Sequence, residues 1–337
     1  MIIQLEQYIK EQDLVKIEGT LSKIGYKVSQ VKTQAKNYLI VLGSVSHDIR
    51  KIGRLQGVLD IHYVDDPYQL VSRMWKTSPT IVDLGDNVTI GGNDICLMAG
   101  PCSIESEEQV EQIADFLVQK SIRIMRGGVF KPRTSPYAYR GGGIESLKMF
   151  HQVCKRKGLK IITEVMDVSQ INDMLPYVDI FQVGTRNSQN FNLLDALGKC
   201  DKTVMLKRGM SGTIEELLQA AEYIFSNGNE KIILCERGIR TYEKAYRNTL
   251  DLNAVAILKD KSHLPVIADP SHGIGIRKYV EQMALASILA GANGVIIETH
   301  PTPEQALSDG QQTLNFFELE QLNNKLNALK RFISEVV

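Results

Sequence analysis

An excess of charge of either sign is missing from this sequence: 39 lysines and arginines meet 39 aspartates and glutamates across 337 residues. Such a chain carries no global electrostatic footprint for nucleic acid or an anionic membrane surface, so neither partner is expected and anion binding has to be local. Long apolar runs are missing too. None approaches the roughly 20 residues of a membrane span, and the opening MIIQLEQYIKEQ is too polar for a secretory signal, so a cytoplasmic location is expected. Cysteines are few and odd in number. Cys96, Cys102, Cys154, Cys200 and Cys235 are scattered, unlike a secreted disulfide framework, and reduced thiols are expected. No low-complexity tract occurs.

What is present is an eightfold alternation. Short apolar, β-branched stretches at Ile95–Ala99, Ile122–Met125, Lys160–Ile162, Ile180–Val183, Thr203–Leu206, Lys231–Leu234, Pro265–Ala268 and Gly294–Ile297 each stop on charged or small polar residues. Parallel strands buried on both faces read this way, and each needs a helix to return the chain. Eight such units predict a closed (β/α)8 TIM barrel, with its chemistry at the C-terminal ends of the strands. Two helix starts are marked by capping boxes, Ser106 to Gln109 and Thr213 to Glu216, and Gly228 marks a helix end.

Ahead of the barrel the order reads strand, helix, strand, strand, helix, strand. Met1–Leu5, Tyr26–Val31, Tyr38–Gly43 and the alternating Leu59, Ile61 and Tyr63 are the strands; Leu14, Ile17, Leu21 and Ile24 share one helical face, and a short helix is expected over His47–Leu55. A βαββαβ order is ferredoxin-like. The division expected is a small domain at 1–66, a linker and hairpin at 67–93 that plugs the barrel floor, and the barrel at 94–337. The small domain is either an assembly appendage or a ligand sensor.

Two constellations carry chemistry. The segment Arg126 to Tyr137 combines paired glycines, prolines, Arg126, Lys131 and Arg133, and the hydroxyls of Thr134 and Ser135, which suits phosphate. Arg186, Lys207, Arg208 and Arg237 also follow barrel strands, implying a polyanionic ligand; Arg208 is the weakest of them, because neighbouring strand residues point to opposite faces. The second constellation is Cys102, His272, Glu298 and Asp309. Singly, each reads as packing. Together they follow the first, seventh and eighth strands, which are neighbours only in a closed barrel, and their donors suit Mn²⁺, Fe²⁺, Co²⁺ or Zn²⁺. Glu164, Glu236 and Asp269 at the same rim serve either as acid–base groups or as ion-pair partners of the cations.

AGPCSIES (99–106), RGGVFKPRTSPY (126–137), QVGTRNSQN (182–190), LKRG (206–209), ILCERGIRT (233–241), ADPSHG (268–273) and the stretch from Glu298 to Asp309 together resemble the 3-deoxy-D-arabino-heptulosonate 7-phosphate (DAHP) synthases. The ferredoxin-like appendage resembles the variant of that family under feedback control by an aromatic amino acid. The resemblance implies condensation of phosphoenolpyruvate with erythrose 4-phosphate at the entrance to the shikimate pathway. It implies Cys102, His272, Glu298 and Asp309 as ligands of a divalent metal ion. It places phosphoenolpyruvate on Arg126, Lys131, Gly184, Thr185, Arg186, Lys207 and Arg237, and erythrose 4-phosphate on Arg133, Thr134, Ser135 and Asp269. Lys207, Glu164, His272 and Cys102 become the candidate catalytic groups. A tyrosine or phenylalanine effector at the small domain and a homo-oligomer, taken as a tetramer, are further expectations.

Three alternatives stand beside this reading. 3-Deoxy-manno-octulosonate 8-phosphate synthases share the enol donor but have a loop resembling Lys-Ala-Asn-Arg-Ser-Ser, where this chain has Lys131-Pro-Arg-Thr-Ser135, which favours the four-carbon acceptor. A Schiff-base aldolase would use Lys207 or Lys131 as nucleophile. A non-catalytic amino-acid-responsive regulator has no need of the intact metal set. One departure from the family pattern is Gly273, where relatives often carry a second serine.

Overall fold

The computed structural model describes residues 1–43, 48–131, 137 and 139–336. Its N-terminal unit runs β1 (Ile2–Leu5), α1 (Glu11–Ile24), β2 (Lys27–Lys32), β3 (Asn37–Leu42), α2 (Ile49–Gly53) and β4 (Val58–His62). The antiparallel sheet has the order β2-β3-β1-β4. Its two faces sort by the period of two. Ile3, Leu5, Leu39 and Val41 pack under the helices with Ile17, Leu21 and Ile52, whereas Ile2, Val31 and Tyr38 join the barrel's outer core. The short helix is tighter than expected from the sequence, starting on the N-cap Asp48, whose side chain accepts from Arg50 N; His47 lies outside the described residues.

A hairpin of β5 (Val82–Asp83) and β6 (Thr89–Ile90) follows, and its Val82, Val88 and Ile90 pack with residues of the barrel interior. The barrel itself closes from β7 (Cys96–Gly100), β8 (Ile124–Arg126), β9 (Lys160–Val165), β10 (Ile180–Val183), β11 (Thr203–Lys207), β12 (Ile232–Glu236), β13 (Val266–Ala268) and β14 (Gly294–Glu298), all neighbours parallel. Around it lie α3 (Glu107–Gln119), α4 (Gly143–Arg156), α5 (Ile171–Met174), α6 (Phe191–Gly198), α7 (Ile214–Ser226), α8 (Leu252–Lys261), the short α9 (Pro270–Ile274), α10 (Arg277–Leu289) and α11 (Phe316–Val336). Ser106 caps α3, and Thr213 with Glu216 forms a reciprocal box at α7. No described helix is long and apolar enough to cross a membrane.

Several strands run one to three residues further than their apolar stretches, so Arg126, Glu164, Lys207, Glu236 and Glu298 are strand residues and not loop residues. The interior layer is Met98, Ile124, Ile162, Ile180, Met205, Ile233, Ile267 and Ile296, one from each strand. Alternate strand residues share a face. Two positions beyond that layer, the residues facing inward are Gly100, Arg126, Glu164, Gln182, Lys207, Asp269 and Glu298. On β12, where Cys235 also belongs to the interior cluster, the next is Arg237. The polar floor of the barrel mouth is therefore the next turn of the same alternation that fills its core.

Candidate active site

Of these inward residues, Arg126, Glu164, Gln182, Lys207 and Arg237 line a cleft of about 260 Å³, together with Lys131, Arg186, His272 and Asp309 from the loops above. Arg126 is 6% exposed; its Nη1 donates to Glu298 Oε1 at 3.0 Å and to Pro101 O at 2.8 Å. Lys207 Nζ and Asp269 Oδ2 are 2.5 Å apart, both buried. The same Asp269 oxygen accepts from His272 Nδ1 at 2.8 Å, while its other oxygen caps α9 through His272 N at 3.0 Å. Burial alone would raise the Asp269 carboxyl, but His272 and Lys207 hold it well below the usual carboxylate range. With Nδ1 bonded to a carboxylate, His272 presents Nε2 to the site, 3.6 Å from Glu298 Oε1.

Cys102 Sγ lies 3.2 Å from Asp309 Oδ2 and 3.0 Å from Lys131 Nζ. Ligand atoms of Cys102, Glu298 and Asp309 all fall within 4.8 Å of one another. A thiol, two carboxylates and an imidazole whose second nitrogen is already anchored suit a borderline divalent cation. Burial and the neighbouring Glu298 push the Cys102 thiol up to about 12, so without a cation at hand it stays protonated. Against the effect of burial, Arg247 and its bond from Cys102 lower Asp309 to about 2. Asp309 also holds a left-handed backbone, φ 54°, a conformation that non-glycine residues adopt at a cost, aspartate more readily than most.

Arg237 stands apart. It is 5% exposed, yet among the described residues it has no ion-pair partner, only a 3.3 Å contact from Nη1 to its neighbour's carbonyl, Gly238 O. A buried guanidinium that faces a cleft with no carboxylate bonded to it suits an anionic ligand. Arg186 sits at the rim with Gly184 and Thr185. Glu164 closes the far wall, with Gln182 Nε2 at 3.4 Å from its Oε2. A Cβ on Gly184 would stand 2.0 Å from Glu164 Oε1, so the glycine leaves the room that this carboxylate occupies. Arg133, Thr134 and Ser135 lie outside the described residues.

Arg208 leaves the anion-binding set. It is one residue past the inward-facing Lys207, so it turns to the helix layer, where Nη1 donates to Glu236 Oε2 at 3.0 Å and to Asp251 Oδ2 at 2.9 Å. Glu236 takes the ion-pair reading for the same reason of parity and also accepts from Gly238 N at 2.6 Å. His300 does not enter the cleft; its Nδ1 accepts from Thr302 N at 3.0 Å within its own loop. At Gly273 a Cβ would lie 2.8 Å from Leu250 Cδ1, so Leu250 fills the space a serine would need. Sequence reasoning passed over Gln182, Arg240, Arg247 and Asn248, which line the cleft. Gln182 was accessible to the period of two; the two arginines arrive on the loop after β12, which carries no periodic signal.

The profile of the DAHP synthetase I family matches residues 78–335. The chain belongs to the DAHP synthetase I family. Within it, the chain is 42% identical over 330 residues to a phospho-2-dehydro-3-deoxyheptonate aldolase of Thermotoga maritima, covering 98% of this chain and 97% of the relative. It is also 32% identical, over 73% of its length, to a 2-dehydro-3-deoxyphosphooctonate aldolase of Syntrophobacter fumaroxidans, of which it covers 91%. Among solved structures, the crystal structure of the Thermotoga maritima DAHP synthase superposes with a TM-score of 0.79 at 41% identity, covering 98% of this chain and 97% of that one. A truncated form of the Thermotoga maritima enzyme matches 79% of this chain and 97% of its own, with a TM-score of 0.74. The octonate aldolase leaves about a quarter of this DAHP synthetase I chain unmatched, whereas the heptonate aldolase matches nearly all of it.

Proposed function

We propose that this chain condenses phosphoenolpyruvate with D-erythrose 4-phosphate and water to give DAHP and inorganic phosphate. The observation that carries the reading is Arg237, a buried guanidinium without a carboxylate partner among the described residues, in one cleft with Arg126, Arg186 and Lys207 beside a thiol–dicarboxylate group of Cys102, Glu298 and Asp309, with His272 Nε2 3.6 Å from Glu298 Oε1. In this reading Arg126, Lys131, Arg186, Lys207 and Arg237, with the backbone of Gly184 and Thr185, hold the enol donor. Arg133, Thr134, Ser135 and Asp269 receive the sugar phosphate. Cys102, His272, Glu298 and Asp309 would hold a divalent ion of the Mn²⁺, Fe²⁺, Co²⁺ or Zn²⁺ class, which when bound would supply Lewis-acid polarisation of the aldehyde. Fixing both reactants in the cationic girdle makes the encounter effectively unimolecular. Carbon 3 of the enol donor forms the new bond to the aldehyde carbon, and the aldehyde oxygen takes a proton. Water then adds to carbon 2, and in this reading Glu164 accepts its proton. Cleavage of the carbon–oxygen bond to phosphate leaves the ketone and frees phosphate.

The test is phosphate release from phosphoenolpyruvate with erythrose 4-phosphate or with arabinose 5-phosphate, each with and without chelator. Turnover confined to the four-carbon sugar and lost to chelator is the expected result; equal turnover with arabinose 5-phosphate moves the chain to octulosonate synthesis. A lysine adduct trapped by borohydride, with activity intact in chelator, would replace the metal reading by a Schiff base. Tyrosine or phenylalanine acting through residues 1–66 accounts for the appendage; an inhibition curve unchanged by deleting them would remove that role. A cytoplasmic homo-oligomer, taken as a tetramer, fits an enzyme of phosphorylated metabolites.

A further inference from the structure

Two of the metal-ligand residues, Glu298 and Asp309, sit at either end of one loop, and a third side chain joins them. Gln312 is 3% exposed, and its Nε2 donates to Glu298 Oε2 at 2.8 Å. The assignment of nitrogen and oxygen in that amide is chemically required, since a carboxylate oxygen can only accept. The two oxygens of Glu298 thus have different partners. Oε2 is occupied by Gln312, while Oε1 faces Arg126 at 3.0 Å and His272 Nε2 at 3.6 Å. Gln312 itself belongs to the turn of Asp309, three residues on, where Thr313 Oγ1 donates to Asp309 O at 2.8 Å.

The loop does not need Gln312 to stay attached. Leu314 N donates to Glu298 O at 2.9 Å, His300 N donates to Leu314 O at 3.0 Å, and Thr299 Oγ1 donates to Leu314 O at 2.9 Å. These bonds stitch the returning chain to the end of β14 through the backbone of Leu314. The amide of Gln312 reaches past them to the ligand carboxylate. We infer that Gln312 is a positioning residue that orients the Glu298 carboxylate for the metal ion and ties it to the turn bearing Asp309. Partners that bond to a ligating carboxylate fix its rotamer and leave the other oxygen directed at the metal. The inference rests on the metal-site reading above.

The test uses the full-length chain stripped with chelator and titrated with Co²⁺, followed by the thiolate-to-cobalt charge-transfer absorption of Cys102. The parent chain is expected to develop this band at one equivalent; its absence overturns the ligand set itself and the inference with it. Gln312→Met keeps the volume and removes the donor. Its cobalt affinity should fall about 10- to 100-fold with the band retained at saturation. Gln312→Asn keeps the amide but shortens its reach, should behave like Gln312→Met, and keeps the question answerable if the methionine variant does not fold. Thermal unfolding in chelator separates the roles, because a purely structural glutamine lowers the melting temperature and leaves the cobalt affinity of the folded chain unchanged. A parental cobalt dissociation constant in both folded variants overturns the inference.

Discussion

Acid should loosen the junction between the N-terminal segment and the barrel at one imidazole. His263 is 2% exposed, directly ahead of β13. Its Nε2 faces Leu70 O at 2.8 Å and must carry the proton, so Nδ1 accepts from Thr80 Oγ1 at 2.7 Å. Thr80 Oγ1 in turn accepts from Lys76 Nζ at 2.7 Å. Protonating Nδ1 would turn the Thr80 hydroxyl proton out of this bond and place a buried cation near Lys76, Arg73 and Lys36. Burial first, and those cations next, hold His263 down to about 3. Since the folded value lies below the unfolded ~6.5, the neutral imidazole's contribution is complete above that pH and is lost progressively as pH falls toward 3. At about 1.4 kcal/mol per pH unit, roughly 2–3 kcal/mol is lost by pH 4.5. Trp75, the single tryptophan, is 5.6 Å from the His263 ring and donates to Leu70 O at 2.9 Å, so its fluorescence reports on this junction. Urea unfolding followed by that signal should show the parent losing stability with acid more steeply than His263→Gln, by about 1.4 kcal/mol per pH unit. Parallel curves for the two proteins would refute the assignment.

Other substitutions probe the site and its supports. Arg208→Met leaves Glu236 buried without its cation, which should cost about 3–5 kcal/mol in urea unfolding, and adding Glu236→Gln should recover part of it; an unchanged midpoint would mean the pair is not formed. Gly184→Ala should fold, since its backbone φ is −70°, yet it displaces the carboxylate of Glu164. A lower kcat with phosphoenolpyruvate KM near parental is expected, and an unchanged kcat would remove Glu164 from the chemistry. Cys102→Ala should keep the fold by circular dichroism and lose metal-dependent turnover, so full activity in that variant would sink the ligand assignment.

Architecture and the floor of the mouth were both legible in the order of residues, because each follows from local periodicity. Apolar stretches at βα spacing specify parallel strands between helices, and the period of two specifies which residue after each stretch faces inward. That arithmetic reaches Arg126, Glu164, Gln182, Lys207, Asp269 and Glu298 without coordinates, and it also places Arg208 outside. Partners are another matter. Parity turns Glu236 away from the mouth, but that it pairs with Arg208, and shares it with Asp251, was decided by the packing of separate elements. Lys207 against Asp269, Cys102 against Asp309 and Gln312 against Glu298 likewise depend on how separate strands and loops meet.

The sequence by itself determined the fold class, the inward face of every strand and the chemical types gathered at the mouth, since these are properties of short segments. Only the tertiary structure decided that Arg237, though buried, has no carboxylate partner among the described residues, which carboxylates were already paired, and which amide bonds to Glu298. Closing the barrel brings β14 against β7 across about 200 residues of chain, and hydrogen bonds and ion pairs between such positions have no local period to announce them.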